Sequence, residues 1–290
     1  MQRPGLRFAY SRPGLVTFKS DREVAPDDVP ASAFARVWGM SLGRTRAPED
    51  AAHQVASATR VHTFVRDEPI DLAPWTIGAN EPAQPGDLVG DVIVAPDETW
   101  LGLHRHDDNH LPHPGGAIPV SVPADAPSRA YAKIEEAIAW AKLPVAAGQV
   151  ALEIGSAPGG AAMALARRGL EVWGVDPGDM IAIPGVHHLP IKVGALRWEQ
   201  LPPRVDWLLV DVNLAPQVAL HEVRRLMPRL LGTLRGAVFT LKLNDWTFVA
   251  ELPLLVDRIR QMGLPDVRMQ HLPSNRKEIC AVALLPRREL

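Results

Sequence analysis

Six short apolar runs punctuate the chain between residues 150 and 285, with helical patterns among them. The runs are VALEI (150–154), EVWGV (171–175), DWLLV (206–210), GAVFTLK (236–242), VRMQHL (267–272) and ICAVALL (279–285). Between them lie GGAAMALARRG (159–169, closed by Gly169), PQVALHEVRRLMPRLL (216–231) and the helical stretch 245–262. A further helix, SRAYAKIEEAIAWAKL (128–143), precedes the first run. Ser128 suits its N-cap, and Tyr131, Ile134, Ile138 and Ala141 share one face. Such alternation predicts a doubly wound, mostly parallel α/β sheet, with ligands at the strand C-termini. Only PSNRKE separates the last two runs, too little for a helical crossover, so that pair is expected to be antiparallel.

The first half reads differently. RFAYSRPGLVTFKS gives two strands around a Pro-Gly turn, and LVGDVIVAPDETWLGL (88–103) gives a hairpin around Pro96-Asp97. Residues 21–80 mix helical and irregular patterns. The expected division is a small α+β domain over 1–103, a linker or structured loop over 104–127, and the regular domain over 128–290. Charge follows the same division. Residues 1–125 hold 11 Lys and Arg against 17 Asp and Glu, a net of −6, whereas residues 126–290 hold 20 against 16, a net of +4. A polyanion is expected to prefer the second half, with weak and salt-sensitive attraction. No apolar run is long enough to span a bilayer, and the opening MQRPGLRFAYSRPG lacks a signal-peptide core, so a cytoplasmic location is expected. The single Cys280 rules out an internal disulfide and a cysteine-based zinc site, and its apolar neighbours predict burial.

The loop after the first strand is Gly155-Ser156-Ala157-Pro158-Gly159-Gly160. A dinucleotide site needs G-x-G-x-x-G, but Ala157 replaces the middle glycine and Pro158 has no N–H for a phosphate. No Gly-Lys-Ser/Thr follows, which excludes a P-loop. Asp176, about 20 residues on, ends the second strand where an acid accepts ribose hydroxyls. A nucleoside with a compact zwitterionic tail fits this pattern, and S-adenosylmethionine is such a molecule. The alternative is structural: the glycines serve tight packing and Asp176 caps a helix.

Four charged residues abut the regular elements: Lys133 in the first helix, Asp211 after DWLLV, Lys242 ending GAVFTLK, and Glu278 before the last run. Each alone reads as a solvated end. Together, SRAYAKIEEA, LEIGSAPGG, LLVDVNLAP, FTLKL and SNRKE resemble the FtsJ-like 2′-O-ribose RNA methyltransferases with their Lys-Asp-Lys-Glu tetrad. PADAPSRAYAKIEEA and NHLPHPGGAI are closer still to the bacterial large-subunit rRNA cytidine 2′-O-ribose methyltransferases, which carry an N-terminal THUMP-type region. The resemblance spans about residue 97 to the C-terminus and is faint before it. It implies a Rossmann-like methyltransferase sheet and Lys133, Asp211, Lys242 and Glu278 as catalytic residues. It also implies a cofactor site over Gly155, Ser156, Ala157, Pro158, Gly159, Gly160, Asp176 and Asp211, with RNA, chiefly ribosomal RNA, as partner. Lys242, if neutral, is expected to accept the hydroxyl proton, with repulsion from Lys133 lowering its pKa; which of the two lysines is neutral is left open by the sequence.

Two features depart from that family. The acid expected to contact adenine after the third strand is replaced by Val193 and Gly194, with His187, Lys192 and Trp198 nearby, and the first half is acidic and short. His104, His106, His110 and His113 invite a metal site with Asp107 or Asp108. Pro112 and Pro114 cut that loop, so a polar or RNA-facing segment without metal is expected. Arg129 reads equally as a phosphate contact or a surface residue. Arg224-Arg225 and Arg287-Arg288 read as solvated faces. Rival functions are a methyltransferase acting on tRNA or a small hydroxyl compound, a non-catalytic binding module, and a nicotinamide dehydrogenase, the last disfavoured by Ala157 and Pro158.

Overall fold

A computed structural model of the 290-residue chain describes residues 5–23, 32–66, 72–75, 77–108, 110–245 and 247–286. Arg287-Arg288 and Asn109 lie outside the described residues. The chain divides into two compact units, residues 1–118 and 119–290.

The first unit opens with the hairpin β1 (Leu6–Arg12) and β2 (Leu15–Ser20). There follow β3 (Met40–Thr45), α1 (Pro48–Gln54), β4 (Arg60–Val65), β5 (Leu88–Val94) and β6 (Thr99–Arg105). The last four strands form a sheet in the order β3-β6-β5-β4, parallel only between β4 and β5. Ala51 and Val55 pack on Val92, Val94 and Leu101 to make its core. The β5–β6 hairpin sits where the Pro-Asp turn predicts. β4 escaped the pattern because polar His62 and Thr63, on opposite faces of the strand, are both buried.

The segment after β6 does not run as a connector at first. His106 exchanges backbone hydrogen bonds with the 86–87 turn, and the Ala83 N–H reaches Pro112 O. His104, His106 and His110 are 1%, 5% and 4% exposed, which corrects the reading of a polar, RNA-facing loop. The reason is aromatic packing: His110 stacks on His104 at 4.5 Å and lies 4.4 Å from the Trp38 ring.

The second unit contains α2 (Ala130–Ala141), β7 (Val150–Ile154), α3 (Gly160–Arg167), β8 (Glu171–Val175) and β9 (Val186–Leu189). It continues with β10 (Trp207–Val210), α4 (Pro216–Arg224), α5 (Met227–Leu230), β11 (Gly236–Lys242), α6 (Thr247–Gln261), β12 (Asp266–Gln270) and β13 (Glu278–Leu284). The seven strands run β12-β13-β11-β10-β7-β8-β9, all parallel except β13, which is antiparallel to both neighbours. This is the expected Rossmann-like sheet. From β7 the chain steps outward through β8 to β9, then returns to β10 on the other side of β7. With right-handed crossovers, helices before and after that return cover opposite faces, and a crevice opens between β7 and β10.

Two details differ from the sequence reading. β9 is an extra edge strand, reached without a helix, because DPGDMIAIPG lacks a helical period. The helix expected over 216–231 is split after Arg224, since Pro228 has no N–H to continue the ladder and opens α5 instead.

Leu152 lies at the centre of this sheet and is fully buried. Leu152→Ala is expected to cost about 2–5 kcal/mol in urea unfolding.

Candidate active site

The crevice edge gathers four charged side chains from four elements. Asp211 follows β10, its N–H bonded to Ile154 O. Lys242 ends β11. Glu278 begins β13, and because that strand is reversed it pairs in register with Lys242. Lys133 reaches in from α2.

The groups alternate in sign around a closed ring. Lys133 Nζ lies 3.0 Å from Asp211 Oδ2 and 2.7 Å from Glu278 Oε2. Lys242 Nζ lies 2.6 Å from Asp211 Oδ1 and 2.8 Å from Glu278 Oε1. The four side chains are 11–17% exposed.

Burial pulls the Lys242 ammonium down, but the Asp211 charge and hydrogen bonds to both carboxylates outweigh it, and its pKa is raised. Burial pushes the Glu278 carboxyl up, but hydrogen bonds and charge from Lys133 and Lys242 win, and its pKa is lowered. The direction for Lys242 is opposite to the lowering expected from Lys133. The two carboxylates overcome the repulsion expected from Lys133.

The glycine loop borders this ring. Gly155 has φ +88°, and a Cβ there would overlap the Asp211 carbonyl, so only glycine lets the β7 and β10 loops approach this closely. Gly159, at φ +112°, starts α3, where a Cβ would strike Ile183. Ser156 is buried with its Oγ unpartnered among the described residues, Ala157 is half-buried, Pro158 is exposed and Gly160 packs against Ser128. Asp176 is half-buried at the end of β8 and accepts the Gly178 N–H at 2.7 Å. It caps a turn, since no helix follows it.

Sequence reading missed three positions. Glu153, within β7, is 1% exposed and lines the same pocket as Lys133 and Asp211. Burial, with the charges of Asp211 and Asp176, pushes its carboxyl well up, and its Oε2 has no hydrogen-bond partner among the described residues. An acid inside an apolar strand was the available signal. Glu136, one turn after Lys133 and also buried, accepts the Ser274 N–H and hydroxyl at 2.8 and 2.7 Å. Asn275 Oδ1 accepts the Leu272 N–H. Glu136 and Asn275 thus fix the turn that leads into Glu278; Glu136 lies on the side of α2 opposite Tyr131, Ile134, Ile138 and Ala141, where its period reads as solvent-facing.

Other candidates lie apart from the ring. His187 pairs with Glu171 at 3.2 Å and packs on Trp173, while Lys192 and Trp198 are exposed. Arg225 is no solvated residue: its guanidinium donates to Val193 O and Leu196 O, and so holds the 193–196 turn. Arg224 is exposed, as expected. Arg129 donates to Ser274 O at 3.2 Å. Cys280 is buried, and burial pushes its thiol up to about 12.

No protein-family model matches the chain. Curated relatives carry the name ribosomal RNA large subunit methyltransferase M. The Alkalilimnicola ehrlichii protein is 35% identical over 60% of this chain and 50% of its own length. The Thauera aminoaromatica protein is 32% identical over the same shares, and the Haemophilus influenzae PittEE protein is 27% identical over 81% and 68%. The chain spans about half the length of the first two relatives. Its resemblance to these methyltransferases agrees with the sequence reading. Among solved structures, a ribosomal RNA methyltransferase from Plasmodium falciparum superposes with a TM-score of 0.43 at 16% identity, over 55% of this chain and 97% of that one.

Two outcomes follow from the geometry. Gly155→Ala is expected to cost about 1–3 kcal/mol in urea unfolding, through strain and the Asp211 overlap. Glu278→Gln tests the ring by pH. A carboxyl held below its ordinary 4.5 stabilises the fold above that value and loses this as pH falls through the depressed one. The stability gap between wild type and Glu278→Gln is expected to be constant above about pH 5 and to shrink in acid.

Proposed function

We propose that the second unit transfers a methyl group from S-adenosylmethionine to a ribose 2′-hydroxyl of RNA, with ribosomal RNA as the substrate. The observation that carries this reading is the closed Lys133–Asp211–Lys242–Glu278 ring against the glycine loop. The relatives' name points to the same substrate class.

The residues fit the cofactor. Glu153 and Ser156 are buried at the loop, each with an oxygen that has no hydrogen-bond partner among the described residues, which suits a tail bearing an ammonium group. An ammonium there would favour the ionised Glu153 carboxyl that burial now opposes. Asp176 spends Oδ1 on Gly178 and keeps Oδ2 for ribose hydroxyls. The cofactor supplies an electrophilic methyl on a sulfonium.

The chain's own residues do the rest. The ring holds the ribose hydroxyl in line with the methyl, which is mainly a positioning task. When bound, the cofactor would give its methyl to the 2′-oxygen and leave as the neutral thioether, with the carbon–sulfur electron pair. The hydroxyl proton passes to Lys242 Nζ, which must first be neutral. RNA covering the site strips water from Lys242, and a neighbouring cation repels its charge. Both push its pKa down from the raised value of this structure. Asp211 and Glu278 orient the amine and balance Lys133. The small positive excess of residues 126–290 draws the RNA backbone. We read the first unit as the α+β, THUMP-like region that helps position structured RNA, and the protein as cytoplasmic.

The test is methyl transfer from labelled S-adenosylmethionine into RNA of cells lacking this protein, with ribose and base products separated after nuclease digestion. Label is expected in a 2′-O-methyl nucleoside. Lys242→Met is expected to lose about 10²–10⁴-fold in rate with cofactor affinity unchanged by calorimetry. Asp176→Ala is expected to weaken cofactor binding about tenfold, the value of one lost hydrogen-bonding pair. Label on a base, or full activity in Lys242→Met, sinks the reading.

A further inference from the structure

The first unit holds a second polar cluster that methyl transfer does not use. His104, His106 and His110 each offer a ring nitrogen, and these three atoms lie within 4.8 Å of one another. All three residues are buried. Buried imidazole nitrogens are ordinarily hydrogen-bonded, but here His104 Nε2 and His106 Nδ1 have no partner among the described residues.

The remaining contacts are those of a ligand set. His104 Nδ1 lies 2.6 Å from Asp91 Oδ2. With Nδ1–H donated to that carboxylate, the lone pair of the neutral tautomer sits on the unpartnered Nε2. A carboxylate behind a histidine in this way fixes tautomer and ring orientation for a metal. Asp91 is 4% exposed, its Oδ1 is unpartnered, and His104 is its only ion-pair partner among the described residues. The Arg66 guanidinium and His62 also feel the Asp91 carboxylate electrostatically. His110 faces two acceptors, Asp107 Oδ1 at 2.8 Å and Trp38 O at 3.2 Å. A neutral ring has one N–H, so one of these contacts must open, and the ring tilt from its stack on His104, for His110 to offer a lone pair to a metal.

We propose that His104, His106 and His110 bind one divalent transition-metal ion, Zn²⁺ by chemical class, with Asp91 as the supporting carboxylate. Three imidazoles suit zinc in tetrahedral geometry, the fourth position going to water. Zinc–nitrogen bonds of about 2.0–2.1 Å would draw the three atoms in from their present spacing to roughly 3.3 Å. The consequence is structural: the ion would clip the segment after β6 to the β5–β6 hairpin. The sequence reading had set metal aside because of Pro112 and Pro114. Both lie beyond His110 and leave the three ligands intact.

The test uses the full chain, grown with added zinc and freed of any affinity tag. Metal analysis is expected to return one zinc per chain, and Co²⁺ replacing it is expected to show the visible bands of a four-coordinate ion. Asp91→Asn is expected to weaken zinc about 10–100-fold in a chelator competition. His106→Gln is expected to weaken it at least as much, while His187→Gln, on an exposed histidine of the other unit, leaves it unchanged. Wild type itself gives a reading free of folding defects, since zinc is expected to raise its Tm over the chelator-treated protein. Less than a tenth of an equivalent of zinc overturns the proposal. So does a wild-type Tm that ignores zinc, or zinc affinity that survives His106→Gln.

Discussion

The second unit depends on burying four charges at once. Any one of Lys133, Asp211, Lys242 or Glu278, at 11–17% exposure, would be costly alone. Alternation solves the problem, because each ammonium sits between two carboxylates and each carboxylate between two ammoniums. That solution is geometric before it is electrostatic. It requires three strand ends and one helix to meet at one edge. The reversal of β13 is the decisive step, because it brings the start of that strand beside the end of β11 and sets Glu278 against Lys242.

The same requirement explains the backbone around the ring. Gly155 lets the loop after β7 lie against Asp211, and Glu136 holds the turn that delivers Glu278. Neither residue belongs to the ring, yet each limits where a member of it can sit. Within that ring burial pulls the Lys242 ammonium down, but the Asp211 charge and hydrogen bonds to both carboxylates raise its pKa.

Much of this was legible in the sequence, for a physical reason. Strands such as VALEI and EVWGV are short, apolar and bounded by turn residues, so period and composition agree. The ring members stood out because charge abuts apolar strands at their ends. What escaped was polar residues placed inside apolar patterns. Glu153 within β7 and His62 and Thr63 in β4 break the period that sequence reading depends on, while Glu136 keeps the polar side of α2 and is buried only because the Ser274 turn covers it. Arg225 escaped for another reason. Next to Arg224 it looks like surface charge, and only the folded turn shows that it holds the Val193 and Leu196 carbonyls.

The two buried polar clusters of the chain differ in how completely they satisfy themselves. In the ring every charge faces two of opposite sign, so it is self-sufficient and can persist without a ligand. Beside it, Glu153 is the exception, kept toward its neutral form by burial and by two neighbouring carboxylates. In the histidine cluster, His104 Nε2, His106 Nδ1 and Asp91 Oδ1 have no hydrogen-bond partner among the described residues. Unsatisfied buried groups cost free energy in every folded molecule, so a fold that keeps several together implies a compensating partner. In each unit, the incomplete groups mark where such a partner belongs.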